Sequence, residues 1–223
     1  MSYQTIEHVV LFKVKDDADP SKVNLWLDAL NGLISLDQVL HLTAGPVLRT
    51  RSSSASLHFT HILHSRYRSE QDLAAYSVHP SHVSVVKEQG QPLVDDIMAI
   101  DWVAEVLDLH MEPPRAGSAV RVSFFKLKEN LGEDAKSEIL GRIKGIKDCF
   151  PQINQFTFGE NFSPGRAQGF SLAWLAVLPV QSELEAMDSN DDQAFVEEKK
   201  FKDFVESDLV VDYVIPSPQC SSG

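Results

Sequence analysis

The apolar positions of this chain form short strand-like runs separated by helix-spaced stripes, and the series is traversed twice. Residues 7–15 are rich in Val, Leu and Phe and predict a strand. Over residues 20–34, Val23, Trp26, Leu27, Leu30 and Leu33 recur at helical spacing, with Pro20 near the start. Residues 39–48 and 57–66 predict two further strands, and Arg49 to Ser56 reads as a serine-rich loop between them. Ser69 opens a helix, with Asp72 three residues on as a capping-box-like signal. Pro80 opens another helical segment, and residues 96–104 predict the last strand.

The second traverse is an internal repeat. His8-Val9-Val10-Leu11-Phe12-Lys13-Val14-Lys15 returns as Arg121-Val122-Ser123-Phe124-Phe125-Lys126-Leu127-Lys128 at an offset of 113. Thr43-Ala44-Gly45 returns as Thr157-Phe158-Gly159 at 114. Phe59 matches Phe170, Leu73 matches Leu184, and Ile100-Asp101-Trp102 matches Val211-Asp212-Tyr213, all at 111. Between the copies, His110 to Ser118 holds two prolines and a glycine and has no period, as a linker would. The expected organisation is a first domain over 1–109, a linker over 110–118 and a second domain over 119–216.

Strand, helix, strand, strand, helix, strand is the order of a ferredoxin-like unit. Its helices cover one sheet face and leave the other apolar and bare, so that face must pair. The fold class expected is therefore α+β: two tandem ferredoxin-like units packed sheet to sheet as a dimeric α+β barrel, an intramolecular pseudo-dimer. Val9, Leu11, Val122 and Phe124, or their alternating neighbours, should lie between the sheets. The first copy alone should self-associate, and a homodimer of the whole chain is an open alternative.

Composition narrows the partners. Of 223 residues, 20 are Lys or Arg and 32 Asp or Glu, a net charge of −12 shared equally by the halves. Nucleic acid and anionic membrane surfaces are disfavoured, and no apolar run reaches the length of a membrane span. Cys149 and Cys220 are the only cysteines, too few for a disulfide scaffold or zinc site, which fits a reducing, cytoplasmic setting.

Three segments carry a family resemblance: His8 to Lys13, Phe59-Thr60-His61-Ile62, and Tyr76-Ser77-Val78-His79-Pro80-Ser81-His82-Val83 followed by Asp96 to Trp102. With them, residues 1–105 resemble the stress-response A/B barrel family of dimeric α+β barrel proteins, and the whole chain resembles its plant two-domain members. Residues 119–215 keep the skeleton and lose the histidines. The resemblance implies a role in stress or defence. One plant branch contains a polyketide cyclase, which makes aldol-type ring closure the alternative function. Residue by residue, it assigns catalysis to Tyr76 and His82, and a ligand pocket to His8 and His61, with His79 beside them. The cyclase's additional first-helix tyrosine is missing, since Leu27 and Leu30 stand nearest. Some relatives hold magnesium on backbone carbonyls, carried over here to Leu33, Leu36 and Val39; no cofactor is otherwise implied. Some two-domain relatives end in a peroxisomal tripeptide; Gly223 stands where its apolar last residue would be, so that address is not present as written, and peroxisome or plastid is the alternative location if a targeting segment has been trimmed or altered.

The residues themselves offer a chemistry. All eight histidines lie within 1–110. In the first turn of a helix His82 would be held neutral by the positive helix end and could act as general base. Tyr76 could donate to a substrate carbonyl and stabilise an enolate. The bland alternatives are a His-Pro cap, packed strand histidines and a core tyrosine. His79 and His82 have ligand spacing but no carboxylate beside them, which argues against zinc. In the second copy Arg121, Leu172 and Met187 replace His8, His61 and Tyr76, so a single small-molecule site in the first copy is expected, with Arg121 pairing an acid.

Overall fold

The computed structural model describes residues 5–53, 57–104, 112–189, 201 and 203–217. In the first copy, β1 (Thr5–Val14) leads to α1 (Pro20–Gly32), a 3-10 turn (Leu33–Ser35), β2 (Val39–Pro46), β3 (Arg49–Ser52) and β4 (His61–Tyr67). Then come α2 (Glu70–Val78), α3 (Pro80–Ser84), a π turn (Val85–Gly90) and β5 (Val94–Ala104). The second copy has β6 (Ala119–Leu127), α4 (Glu133–Lys144), α5 (Ile146–Cys149), β7 (Gln155–Glu160), a 3-10 turn (Pro164–Arg166), β8 (Leu172–Leu178), α6 (Ser182–Ser189) and β9 (Val205–Val214).

The capping signals act as read. The Asp19 carboxylate accepts the Ser21 N–H at 2.8 Å with Pro20 in the first turn of α1, and the Ser69 side chain accepts the Asp72 N–H at 3.1 Å. The apolar stripe of α1 buries Val23, Trp26 and Leu30 on the sheet, each worth about 1.5–3 kcal/mol. Asn31 fastens α1 to β2, exchanging hydrogen bonds with both the N–H and C=O of Ala44.

The first sheet has the antiparallel order β2-β4-β1-β5 and the second contains β9-β6-β8-β7, the same ferredoxin-like arrangement. Alternation sorts each strand. On β1, Ile6, Val10, Phe12 and Val14 face their own helices, while Val9 and Leu11 join Val122 and Phe124 in one core between the sheets. The expected sheet-to-sheet barrel is thus formed within a single chain. The repeat anchors are structural equivalents: Phe59 and Phe170, and Trp102 and Tyr213, meet in the shared core, while Leu73 and Leu184 sit in the two separate helix layers.

One expected loop is a strand. Arg49–Ser52 is β3, which crosses to the second copy and pairs antiparallel with β9, Arg49 opposite Asp212 and Ser52 opposite Leu209. Its Arg-Thr-Arg-Ser sequence has no apolar alternation because side chain charge, not a buried face, fastens it. The second copy reciprocates: after β7, Asn161 bridges to Trp102 at the edge of β5. The strand expected over 57–66 is shorter at its start, because Phe59 already belongs to the core and Thr60 ties back to Val14 and Phe12 before β4 begins. Cys220 and the Ser221-Ser222-Gly223 end lie outside the described residues, as do residues 105–111 of the linker region.

Candidate functional site

The helices of the first copy do not close completely over their sheet. Between β1 and β5 on one side and α1, α2, α3 and the π turn on the other lies a cleft of about 630 Å³. Three of the expected site residues meet there: His8 from β1, Tyr76 from α2 and His82 from α3. The cleft is on the outer, helix-covered face of the first sheet and not in the barrel between the sheets. The parity of β1 explains this: His8 shares the face of Val10 and Phe12, opposite to Val9 and Leu11. Apolar residues of the lining include Phe12, Trp26, Leu30 and Leu63.

His8 pairs through Nδ1 with the Asp101 carboxylate directly across the sheet. Burial works to raise the Asp101 carboxyl, but its bonds to His8 and Ser163 hold it below the usual carboxylate range. The Tyr76 ring is 1% exposed and stacks obliquely on His82, with centroids 4.4 Å apart. The Ser65 and Tyr67 hydroxyls are 2.9 Å apart, and the Tyr67 ring packs on Tyr76 with centroids 5.2 Å apart. Burial pushes the Tyr76 phenol above its ordinary value, so it stays protonated.

His82 donates from Nδ1 to the Ser77 carbonyl at 3.0 Å. A carbonyl can only accept, so Nδ1 carries the hydrogen and the neutral ring keeps its lone pair on Nε2. Burial lowers the His82 pKa; the Ser77 bond works against this, and the charges of His8, Arg166 and His79 add to it. Neutrality expected from a helix end is therefore produced chiefly by desolvation.

The other expected site residues are placed elsewhere. His61 shares the face of His8 but lies four residues further along the paired strands, opposite Phe12. Its Nδ1 bonds Thr60 Oγ1 at 2.9 Å, and Trp26, 6.4 Å away between ring centroids, separates it from the cleft. His79 is the N-cap of α3: its Nδ1 accepts the Ser81 N–H at 3.2 Å and its ring stands outside the cleft. The Leu33 and Leu36 carbonyls accept the N–H groups of Leu36 and Val39, and Arg68 donates to the neighbouring Asp37 carbonyl. The Leu33, Leu36 and Asp37 carbonyls thus each already accept a hydrogen bond within the chain. Among the described residues no cluster of three His, Cys, Asp or Glu side chains could hold a metal.

The corresponding place in the second copy is filled. Arg121, opposite Asp212 as His8 is opposite Asp101, donates to it from Nε at 2.7 Å and Nη2 at 3.0 Å. Asp188 joins through Arg121 at 2.9 Å and Arg51 at 2.7 Å, and Arg49 reaches both acids. Met187 and Leu172 are core residues of the helix layer. The expectation that Arg121 pairs an acid holds.

A second polar cluster was not legible in advance. Between the sheets, Glu7 is fully buried and accepts from His64 Nε2 at 2.6 Å, Arg66 Nε at 3.0 Å and Thr157 Oγ1 at 3.1 Å. Burial raises the Glu7 carboxyl, but Arg66, His64 and these hydrogen bonds together bring it to about 2. Burial pushes neighbouring His41 down to about 2. The even charge alternation of β1 and β4 gives no sign of which face turns inward, which is why this network was missed.

Two ferredoxin-like units around one shared core, with a His/Tyr cleft under the helices of the first, define a dimeric α+β barrel folded from a single chain. The sequence profile of the Stress responsive A/B Barrel Domain matches residues 6–104 and again 119–215, and the chain belongs to that family. It is 49% identical over 219 residues to a stress-response A/B barrel domain-containing protein of Arabidopsis thaliana, covering 98% of this chain and 82% of that protein. It is 46% identical over 213 residues to a second protein of the same description from the same plant, covering 95% and 97%. Among solved structures, an anthrone oxidase-like protein has a TM-score of 0.64 at 11% identity, covering 97% of this chain and 92% of that one, a likeness of fold alone. No described helix is long and apolar enough to cross a membrane.

Proposed function

We propose that the protein serves a stress or defence response by binding a small molecule in the cleft of its first copy. The observation that carries this reading is the cleft itself: about 630 Å³, lined by Phe12, Trp26, Leu30 and Leu63 together with His8, Tyr76 and His82. Such a combination of apolar volume and a few convergent polar groups suits a small ligand. Cys149 as a free thiol fits a reducing compartment such as the cytoplasm for this role.

A second reading is acid–base catalysis of aldol-type ring closure, favoured by the neutral His82 with Nε2 unprotonated beside the Tyr76 hydroxyl. His82 Nε2 would take a proton from a carbon next to a carbonyl. Tyr76 would donate to that carbonyl oxygen as it becomes an enolate, and the enolate carbon would attack a second carbonyl of the same chain.

The test is calorimetric titration with a set of aromatic and polyketide-like compounds, with thermal melts as folding control. His82→Ala and Tyr76→Phe should each weaken binding about tenfold, as the loss of one hydrogen bond implies. Met187→Leu and Leu172→Met should leave affinity unchanged. Equal losses from both copies would refute the one-site reading, and turnover retained by His82→Ala would remove it as the base.

A further inference from the structure

The wall of this cleft does not belong to one copy. Residues 161–171, between β7 and β8, leave the second sheet and dock on β5. The Phe162 N–H donates to the Asp101 carbonyl at 3.0 Å, and Asn161 Oδ1 accepts the Asp101 N–H at 3.1 Å. Gln168 Nε2 donates to the Asp96 carboxylate at 3.1 Å. Between these ties, the Pro164–Arg166 turn sits against β5 and presents Arg166 to the cleft, close enough for its charge to act on His82.

The molecule contains its own comparison. In the reciprocal arrangement, β3 of the first copy docks on β9 and brings Arg49 and Arg51 to the second copy. There Asp188 and Asp212 engage both, together with Arg121. Two of the acids near Arg166 have other partners: Asp101, the counterpart of Asp212, bonds His8, and Asp96 bonds Gln168. Among the described residues Arg166 enters no ion pair. The other charges of the lining are Lys87, Asp95 and Asp96, all exposed, and its apolar residues include Phe12, Trp26, Leu30 and Leu63. A cation left uncommitted at the polar end of an apolar cleft selects an anion with an apolar body. A guanidinium suits a carboxylate, which it can grip through two parallel N–H bonds.

We propose that Arg166, supplied by the second copy, binds the carboxylate of an amphiphilic acid whose apolar body lies against Phe12, Trp26, Leu30 and Leu63. This rests on the cleft being a ligand site, and deepens that reading by naming the ligand class and a second-copy residue that selects it.

The probes are 4-phenylbutanoate and its methyl ester, titrated calorimetrically into the full chain, with Arg166→Gln and Arg166→Lys as variants. The wild type should prefer the acid. Arg166→Gln should weaken the acid about 10- to 100-fold and leave the ester unmoved, and Arg166→Lys should recover part of the loss. Arg166 is exposed, so melting temperatures should not change. Equal losses for acid and ester, or none, overturn the role of Arg166 alone. A wild-type chain that binds neither probe counts against the cleft reading as well. A ligand-free readout accompanies these: the His82 ring, followed by NMR titration, should gain a higher pKa in Arg166→Gln, and an unmoved titration shows that the guanidinium does not face it.

Discussion

Gly159 is a point of close approach between the two copies, and it gives a sharp mechanical test of the barrel. A Cβ built there would stand 2.7 Å from the Val103 carbonyl oxygen and 3.0 Å from Trp102 Cδ1, both across the inter-sheet gap. Normal contact requires roughly half an ångström more or beyond. The obstacle is main chain beside a fully buried indole, so no side chain rotation relieves it. Gly159→Ala must therefore push β7 away from β5. Overpacking of this kind costs about 1–3 kcal/mol, less about 0.4–1 kcal/mol returned by a stiffer unfolded chain. The net loss is up to about 2.6 kcal/mol, or up to about 10 °C in melting temperature for a chain of this size. Gly45, its counterpart in the repeat, is the control. There a Cβ meets nothing nearer than the Pro216 ring at 3.9 Å, so Gly45→Ala should be neutral or stabilising by up to about 1 kcal/mol. Urea unfolding by far-UV circular dichroism, with equal m-values, reads the difference. Two variants of equal stability, or Gly45→Ala the weaker, would refute the close approach of β7 to β5.

Stability should fall with acid in two stages. His41 stays neutral in the fold, held down to about 2, while the unfolded chain takes up that proton below its ordinary 6.5, so the decline starts near pH 6.5. Glu7, held at about 2 against an ordinary 4.5, contributes fully above pH 4.5 and loses its share as pH falls towards 2. Urea midpoints against pH should show both limbs, His41→Phe flattening the upper and Glu7→Gln the lower; a flat profile from pH 6.5 to 4.5 speaks against the buried network. Asp212→Asn, at a site 1% exposed among three arginines, should cost about 3–5 kcal/mol and speed amide exchange along Arg49–Ser52, and unchanged exchange would detach β3 from this cluster. Residues 1–104 alone expose the face of Val9, Leu11, Ile62 and Ile100 and should sediment as a dimer or larger; a soluble monomer would argue against the shared core.

The parts of the fold that could be read in advance are those fixed by local apolar pattern. Val9 and Leu11, alternating with Val10 and Phe12, announced a two-sided strand, and Val23, Trp26 and Leu30 a helix with one buried stripe. What could not be read depends on partners far away in sequence. Strand β3 exists because Arg49 and Arg51 meet Asp212 and Asp188, more than 130 residues on, and nothing within Arg-Thr-Arg-Ser declares it. Of the candidate site, His8, Tyr76 and His82 come together as the motif implied. His61 does not, because strand parity gave its face but not its distance along the sheet. Arg166 was missed for a further reason: it arrives from a copy that had been read as scaffold, on a loop with no pattern of its own.

The separation of His8 from Arg121 has a consequence for inheritance. A dimer encoded by one short gene repeats every residue on both sides of its axis, so a change that locks one half locks the other. Once both halves lie in one reading frame, position 8 and position 121 answer to different selection. One half can become a salt-bonded clasp for its neighbour's strand while the other keeps an imidazole in an open cleft. The crossing arms then bind the two fates together again. A change at Arg51 has its physical effect beside Asp188, and a change at Ser163 beside Asp101, so a lesion in either half of the gene is felt in the opposite half of the molecule.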